Sequence, residues 1–350
     1  MKKASSTSTV GVIVITHNAK RHLKHCLPPI LNSRLNPRVL VVNSSSQDGT
    51  VEEAQRLGAE TLVIPRRQFN HGATREFARK FLGTDIVVMI TPDAYPTHEN
   101  MLEKLVEPIL EQKAVVSYAR QIPHDNADLF EAFPRYFNYP DESHLRGIED
   151  VSRYGVYVYF CSNSCAAYLN SALDEIGGFR PTLTGEDTLA VAMLLRKGYK
   201  IAYVADAVVK HSHRYTIVEE FRRYFDTGLY RRQYHDLLEF AGMDEQRGMN
   251  YLKEFLKFVL DENPAQLPYA ILQTLAKWLG YKMGRYAIHA PDWFKKRLSN
   301  QDFYWTSEIY QCVKNNKKWQ YEIVSYAPVS KELKPAEAES KIESEIELVP

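Results

Sequence analysis

The chain has 350 residues, a formal net charge of +1 and the composition of an ordinary soluble protein. Balanced charge gives no electrostatic footprint for nucleic acid, and no run reaches the roughly 20 apolar residues of a membrane-spanning helix. The cysteines Cys26, Cys161, Cys165 and Cys312 are too sparse for a disulfide framework, and Cys161-x-x-x-Cys165 reads as core packing rather than a metal pair.

Residues 1–9 are polar and Ser/Thr-rich, without the apolar core of a signal peptide, and are expected to be disordered. A cytoplasmic location is expected. Val10 to Ile15 predicts a first buried strand that runs into Thr16-His17-Asn18. Residues 20–33 predict a helix, with Pro28-Pro29 marking a kink or restart. Strands follow at Arg38 to Val42, Glu60 to Ile64 and Asp85 to Ile90, separated by helices over Val51 to Leu57 and Ala73 to Phe81. The strands are continuous apolar runs rather than alternating ones. That rhythm indicates an α/β fold with a mostly parallel central sheet and helices on both faces.

A helix over Glu99 to Gln112 and a strand over Ala114 to Arg120 come next. Residues 121–155 read as a partly helical excursion, and Tyr157 to Phe160 and Ala166 to Leu169 as strands. Thr184-Gly-Glu186-Asp187 precedes a helix, and Lys200 to Val209 is a strand that reaches His211-Ser-His213. A long helix is predicted over 216–240. The domain reading is therefore 1–9 disordered, 10–240 an α/β domain, 241–326 a helical accessory region and 327–350 a charged disordered tail. In the accessory region aromatics alternate with lysines and arginines, as in Trp293-Phe-Lys-Lys-Arg-Leu298. Such helices suit an anionic membrane surface, and equally packing on the catalytic domain or in a homo-oligomer.

No dinucleotide or P-loop glycine motif follows the first strand. The strand ends instead carry Thr16, His17, Asn18, Asn43, Ser45, Asp48 and Asp93, which share one rim if the strands are parallel. Asp93, past the end of a central strand, is either a turn aspartate or a ligand for a divalent cation beside a phosphate. Asp187 is either a helix cap or a general base. His211 and His213 are either idle on a strand face or further metal ligands. Glu186 and Asp187 are adjacent and cannot point the same way, so one can act while the other orients it.

These stretches together resemble a known family. The order Val14-Ile-Thr-His-Asn18, Val42 to Thr50, Phe69-Asn-His-Gly-Ala-Thr-Arg75, Thr91-Pro-Asp-Ala94, Ile176-Gly-Gly-Phe179, Gly185-Glu-Asp187 and His211-Ser-His213 is similar to family 2 glycosyltransferases of the GT-A fold. More narrowly, it is similar to the bacterial rhamnosyltransferases of polysaccharide assembly. The resemblance implies an inverting transferase that moves L-rhamnose from dTDP-L-rhamnose to a hydroxyl of a glycan acceptor, which can be lipid-linked. Another nucleotide-sugar donor, or a non-catalytic binding protein on the same fold, are the alternatives. It implies a nucleotide site over Thr16, His17, Asn18, Asn43, Ser45, Asp48, His71, Arg75, Asp93 and Ala94. It implies Asp187 as base with Glu186 beside it, and Mg²⁺ or Mn²⁺ held by Asp93 with His211 or His213. Three positions depart from the family pattern: Asn43 replaces the usual aspartate, Pro92 a glutamine, and Tyr95 the second acid of the metal motif.

Overall fold

The computed structural model describes residues 8–329 except Met243. The first ends of the expected disorder, 1–7, and most of the expected tail, 330–350, lie outside the described residues. In chain order the strands are β1 (Val10–Thr16), β2 (Arg38–Asn43), β3 (Glu60–Val63), β4 (Ile86–Ile90), β5 (Tyr95–Pro96), β6 (Val116–Ile122), β7 (His144–Arg146), β8 (Cys165–Leu169), β9 (Ile201–Lys210) and β10 (Ser325–Ala327). The helices of the first half are α1 (Lys20–Leu31), α2 (Thr50–Leu57), α3 (His71–Leu82), α4 (Met101–Leu110), α5 (Leu129–Asn138) and α6 (Val151–Tyr154). Then come α7 (Asn170–Glu175), α8 (Glu186–Arg196), α9 (Ile217–Gln233), α10 (His235–Leu238), α11 (Asp244–Glu262), α12 (Leu267–Tyr286), α13 (Asp292–Leu298) and α14 (Glu308–Lys314).

All these strands join one sheet in the order β10-β3-β2-β1-β4-β8-β6-β9-β5, with β7 on β9. β1 to β4 are mutually parallel, as are β6 and β9, while β8 runs against both β4 and β6. Two reversals cancel, so β1, β2, β3, β4, β6 and β9 all point the same way. Their C-terminal ends line one rim, where open α/β sheets bind ligands.

Both sheet faces are buried, which is why the strands are apolar at successive positions. Along β1, Val12 and Val14 pack under α1 and α4, while Ile13 and Ile15 face α3 and α8. The Pro28-Pro29 pair does not restart α1, which is continuous to Leu31. Pro28 and Pro29 have no N–H, so the Lys24 and His25 carbonyls lose their usual i+4 donors, but only the last turn of α1 is affected.

Tyr157 to Phe160 is not a strand but part of a 3-10 turn over Gly155–Tyr159. Both edges of β8 are already paired with β4 and β6, so the turn's carbonyls need another partner. The buried guanidinium of Arg146 supplies it, donating to the Tyr157 carbonyl and, at 2.7 Å, to that of Phe160. The helix expected over 216–240 is broken after Gln233, with α10 as a separate turn. The accessory helices pack on the α/β unit: α11 sets Phe255 and Val259 against Phe133 of α5. Past α14 the chain returns to the sheet, where β10 pairs antiparallel with β3.

Candidate active site

Thr16 and Asn43 end adjacent parallel strands and are paired in register. Asn43 is fully buried and its amide is spent on the loop that follows. Its Nδ2 donates to Thr16 Oγ1 (3.1 Å) and Ser46 Oγ (2.7 Å), and its Oδ1 accepts from Ser46 N (2.8 Å). Asn18, with φ of 49°, donates its N–H to the same Ser46 hydroxyl at 2.7 Å. His17 and Asn18 are thereby presented outward, both exposed. Asp48 accepts from Lys20 N and Thr50 N at 3.1 Å each, tying the starts of α1 and α2 together. Ser45 turns its hydroxyl to the Ile64 carbonyl (2.9 Å). The rim residues of β1 and β2 thus form one hydrogen-bonded shelf.

Asp93 follows β4 in a tight turn closed by Ala94 N donating to Thr91 O at 3.0 Å. Its two carboxylate oxygens face His211 Nε2 at 3.6 Å and His213 Nε2 at 3.5 Å. These three side chains can converge on a single cation. His211 is 5% exposed, and its Nδ1 lies 2.9 Å from Gln121 Oε1. Gln121 Oε1 can only accept, so Nδ1 carries the proton and Nε2 is left as a lone pair toward Asp93. Burial pushes the His211 and His213 imidazoles below their usual range, which keeps them neutral and able to ligate. One carboxylate and two imidazoles, with one imidazole oriented from behind, fit a divalent transition ion. Tyr95 takes no part in this trio. Its hydroxyl bonds His22 Nδ1 at 2.6 Å, and its ring lies between His25 and His124.

Phe69 to Arg75 forms the start of α3 and locks it to the loop before α8. Asn70 caps α3 by accepting from Ala73 N (3.0 Å) and donates to Thr182 O (2.9 Å). Gly72 is required by proximity, since a Cβ there would lie 1.9 Å from the Arg180 carbonyl oxygen. Arg75 then reaches Glu186 Oε1 at 2.5 Å, both side chains being almost fully buried. Against burial, the Arg75 guanidinium holds the Glu186 carboxyl below its usual range. Burial first, then the Glu186 charge, push the adjacent Asp187 carboxyl up to about 6. Asp187 is only partly covered at the start of α8, and so remains reachable. His71 lies beside this pair, and burial pushes its imidazole down to about 4.

The segment Ser162-Asn163-Ser164 joins the two halves of the site. Ser162 Oγ accepts from Gln121 Nε2 (3.0 Å), which orients His211. Asn163 N donates to Asp187 Oδ2 (3.0 Å), and its Nδ2 to Glu186 Oε1 (3.1 Å). Ser164 O accepts from Thr91 N (3.2 Å) at the start of the Asp93 turn. Sequence reading missed Gln121 and Asn163. The only trace was a polar triplet between two buried cysteines.

A cleft of about 390 Å³ opens beside His213, lined among others by Asp128, Glu131, Tyr215, Tyr269 and Gln273. A second of about 270 Å³ holds Thr184, Tyr215, Arg223 and Asn300. Tyr215 borders both, placing one cleft beside His213 and the other beside Thr184 of the loop before Asp187.

Residues 11–177 match the domain described as Glycosyl transferase family 2. The chain is 34% identical over 312 residues to the O-antigen chain rhamnosyltransferase RfbN of Salmonella typhimurium, covering 88% of this chain and 99% of that one. It is 34% identical over 282 residues to the O-antigen chain rhamnosyltransferase WbaN of Salmonella anatum, covering 80% and 90%. Among solved structures, the mannosyltransferase PcManGT of Pyrobaculum calidifontis, in complex with GDP-Man and Mn²⁺, superposes with a TM-score of 0.51 at 17% identity, covering 90% of this chain and 88% of that one. S. aureus TarS 1–349, in complex with UDP-GlcNAc, gives 0.51 at 16% identity, covering 91% and 95%. At these identities the two structures establish the shared fold.

Proposed function

The chain belongs to glycosyltransferase family 2, and from that premise we propose that it transfers L-rhamnose from dTDP-L-rhamnose to a hydroxyl of a glycan acceptor in surface-polysaccharide synthesis. The observation that carries the donor assignment is similarity along nearly the whole length of an O-antigen chain rhamnosyltransferase.

Asp187 is the base. It is reachable, held at two oxygens by Asn163 N and Thr188 N, and poised near pH 6. A base with a pKa close to the working pH combines ionisation with proton affinity. The acceptor hydroxyl gives its proton to Asp187 as its oxygen bonds to the donor anomeric carbon. The bond from that carbon to the diphosphate oxygen breaks on the opposite face, and the nucleoside diphosphate leaves with the electron pair. The product is inverted at the anomeric centre. Of Mg²⁺ and Mn²⁺, Mn²⁺ better suits the two imidazoles, and Asp93, His211 and His213 would hold it. Such a cation, when bound, neutralises charge on the departing diphosphate. The shelf of Thr16, His17, Asn18, Asn43, Ser45 and Asp48 would seat the nucleoside, with Asn43 acting through the loop it organises. Arg75 and His71 flank Glu186 rather than the rim, so their part is to set the charge around Asp187.

Among the described residues no helix is long and apolar enough to cross a membrane. A cytoplasmic enzyme, peripheral to the inner face of the membrane, fits a lipid-linked acceptor. The test is a donor screen with purified protein, reading release of nucleoside diphosphate from dTDP-L-rhamnose, UDP-glucose and GDP-mannose with divalent cation present. Turnover selective for dTDP-L-rhamnose is expected. Selectivity for another donor would reassign the sugar, and turnover of none would favour a binding protein.

A further inference from the structure

α12 is 20 residues long and contains no aspartate or glutamate. Its inner face meets α9 backbone to backbone. A Cβ on Gly280 or Gly284 would lie 2.2 or 2.0 Å from the carbonyl oxygens of Phe221 and Phe225, and one on Gly228 would lie 2.1 Å from that of Tyr281. The Gly-x-x-x-Gly spacing is thus used up inside the protein and leaves the opposite face outward. That face presents Ile271, Leu272, Leu275, Trp278, Leu279 and Met283, each between 39% and 56% exposed. Their spacing places them on one stripe about 18 Å long. Scattered exposed apolar residues need no explanation, but a continuous stripe of this size does. Tyr286 at the end of α12 and Trp293 on α13 are more exposed still, at 84% and 69%. Exposed basic residues follow on α13, at Lys296 and Arg297.

We propose that this face docks on an anionic lipid bilayer, with α12 lying in the plane of the surface. Its apolar stripe enters the boundary between headgroups and acyl chains, and Lys296 and Arg297 of α13 meet lipid phosphates. Exposed Trp278, Trp293 and Tyr286 have the apolar body and polar tip that suit this boundary. The charge pattern separates a bilayer from a second copy of the chain. A two-fold contact through this stripe would set the same exposed Lys296 and Arg297 beside their copies, with no acidic residue on α12 to offset them. An anionic surface supplies the opposite charge. Tyr269 and the buried Gln273 of α12 line the cleft beside His213, so α12 joins the docking face to the candidate active site. The link to a lipid-linked acceptor rests on the proposed transferase function, whereas the docking rests on α12 and α13.

The test is co-sedimentation of the full chain with vesicles of equimolar phosphatidylglycerol and phosphatidylcholine, and with phosphatidylcholine alone, without donor or acceptor. Binding to the anionic vesicles, weakened by salt and accompanied by a blue shift in tryptophan emission, is expected. Leu272→Gln/Leu275→Gln/Leu279→Gln should lower the partition coefficient at least about tenfold. Lys296→Ala/Arg297→Ala should remove most of the preference for phosphatidylglycerol. Neither set touches the candidate active site, so donor hydrolysis in solution should stay at the wild-type level and report an intact fold. Equal vesicle binding by wild type and the triple variant would overturn the proposal. So would absence of binding together with a stable dimer that the triple variant dissociates.

Discussion

The backbone N–H of Asn163 donates to Asp187 Oδ2 at 3.0 Å, joining two residues 24 positions apart. The same Asn163 donates its side-chain amide to Glu186 and accepts from the Tyr168 hydroxyl at 2.8 Å. Asn163→Ala keeps the backbone bond but leaves Glu186 short of a donor and the buried Tyr168 hydroxyl with only the weakly accepting Cys161 sulfur at 3.5 Å. The expected cost is about 1–3 kcal/mol of stability. kcat should fall while KM for the donor changes little, because the affected group is the base. A change confined to donor KM would contradict the positioning role.

Glu186 is one of two causes that raise the Asp187 pKa, the other being burial. Glu186→Gln removes its negative charge, so Asp187 should ionise at lower pH than about 6. The acid limb of the kcat/KM–pH profile is then expected to move to lower pH. The unpaired Arg75 should cost about 3–5 kcal/mol in stability, read separately by thermal melting. An acid limb left in place would show that another group sets it.

Gln121 fixes the tautomer of His211 from behind. Gln121→Leu should weaken Mn²⁺ binding roughly 10–100-fold, the usual effect of losing an outer partner of a ligating histidine. His211→Ala should weaken it further. Calorimetric titration with Mn²⁺ alone reads both. Unchanged Mn²⁺ affinity in both variants would move the cation site away from this trio.

Gly72→Ala pushes a methyl group into the Arg180 carbonyl, 1.9 Å away. Neither backbone can yield without dragging α3 off the loop that leads into Gly185. A loss of roughly 1–3 kcal/mol is expected from this overpacking, together with a drop in turnover. Wild-type melting temperature and activity would contradict the close contact between Gly72 and Arg180.

Much of the fold was legible because strands buried on both faces leave continuous apolar runs, as in Val10 to Ile15 and Ile86 to Ile90. Strand direction was not. Nothing in Cys165–Leu169 marks it as antiparallel, since apolar content is the same for either orientation. Tyr157 to Phe160 looked like a strand because its residues are β-formers, but the carbonyls there are claimed by Arg146, a partner set by tertiary contact. In the site, Asp93, Glu186 and Asp187 stood out because they lie where elements begin or end. Asn163 and Gln121 did not, because amides inside or beside strands carry no local pattern. Tyr95 was legible as a departure from the acidic motif, but its histidine surroundings come from α1 and from the loop at His124.

The central claim is that Asp187 takes the acceptor proton in rhamnosyl transfer. The most direct measurement compares wild type and Asp187→Asn for transfer from dTDP-L-rhamnose to a glycan acceptor, with dTDP affinity measured on both proteins. An amide of nearly the same shape cannot take the proton. Transfer should therefore fall by at least about 10²- to 10⁴-fold while dTDP binding stays within about twofold. Near-normal transfer by a folded Asp187→Asn protein would contradict the account and move the base elsewhere.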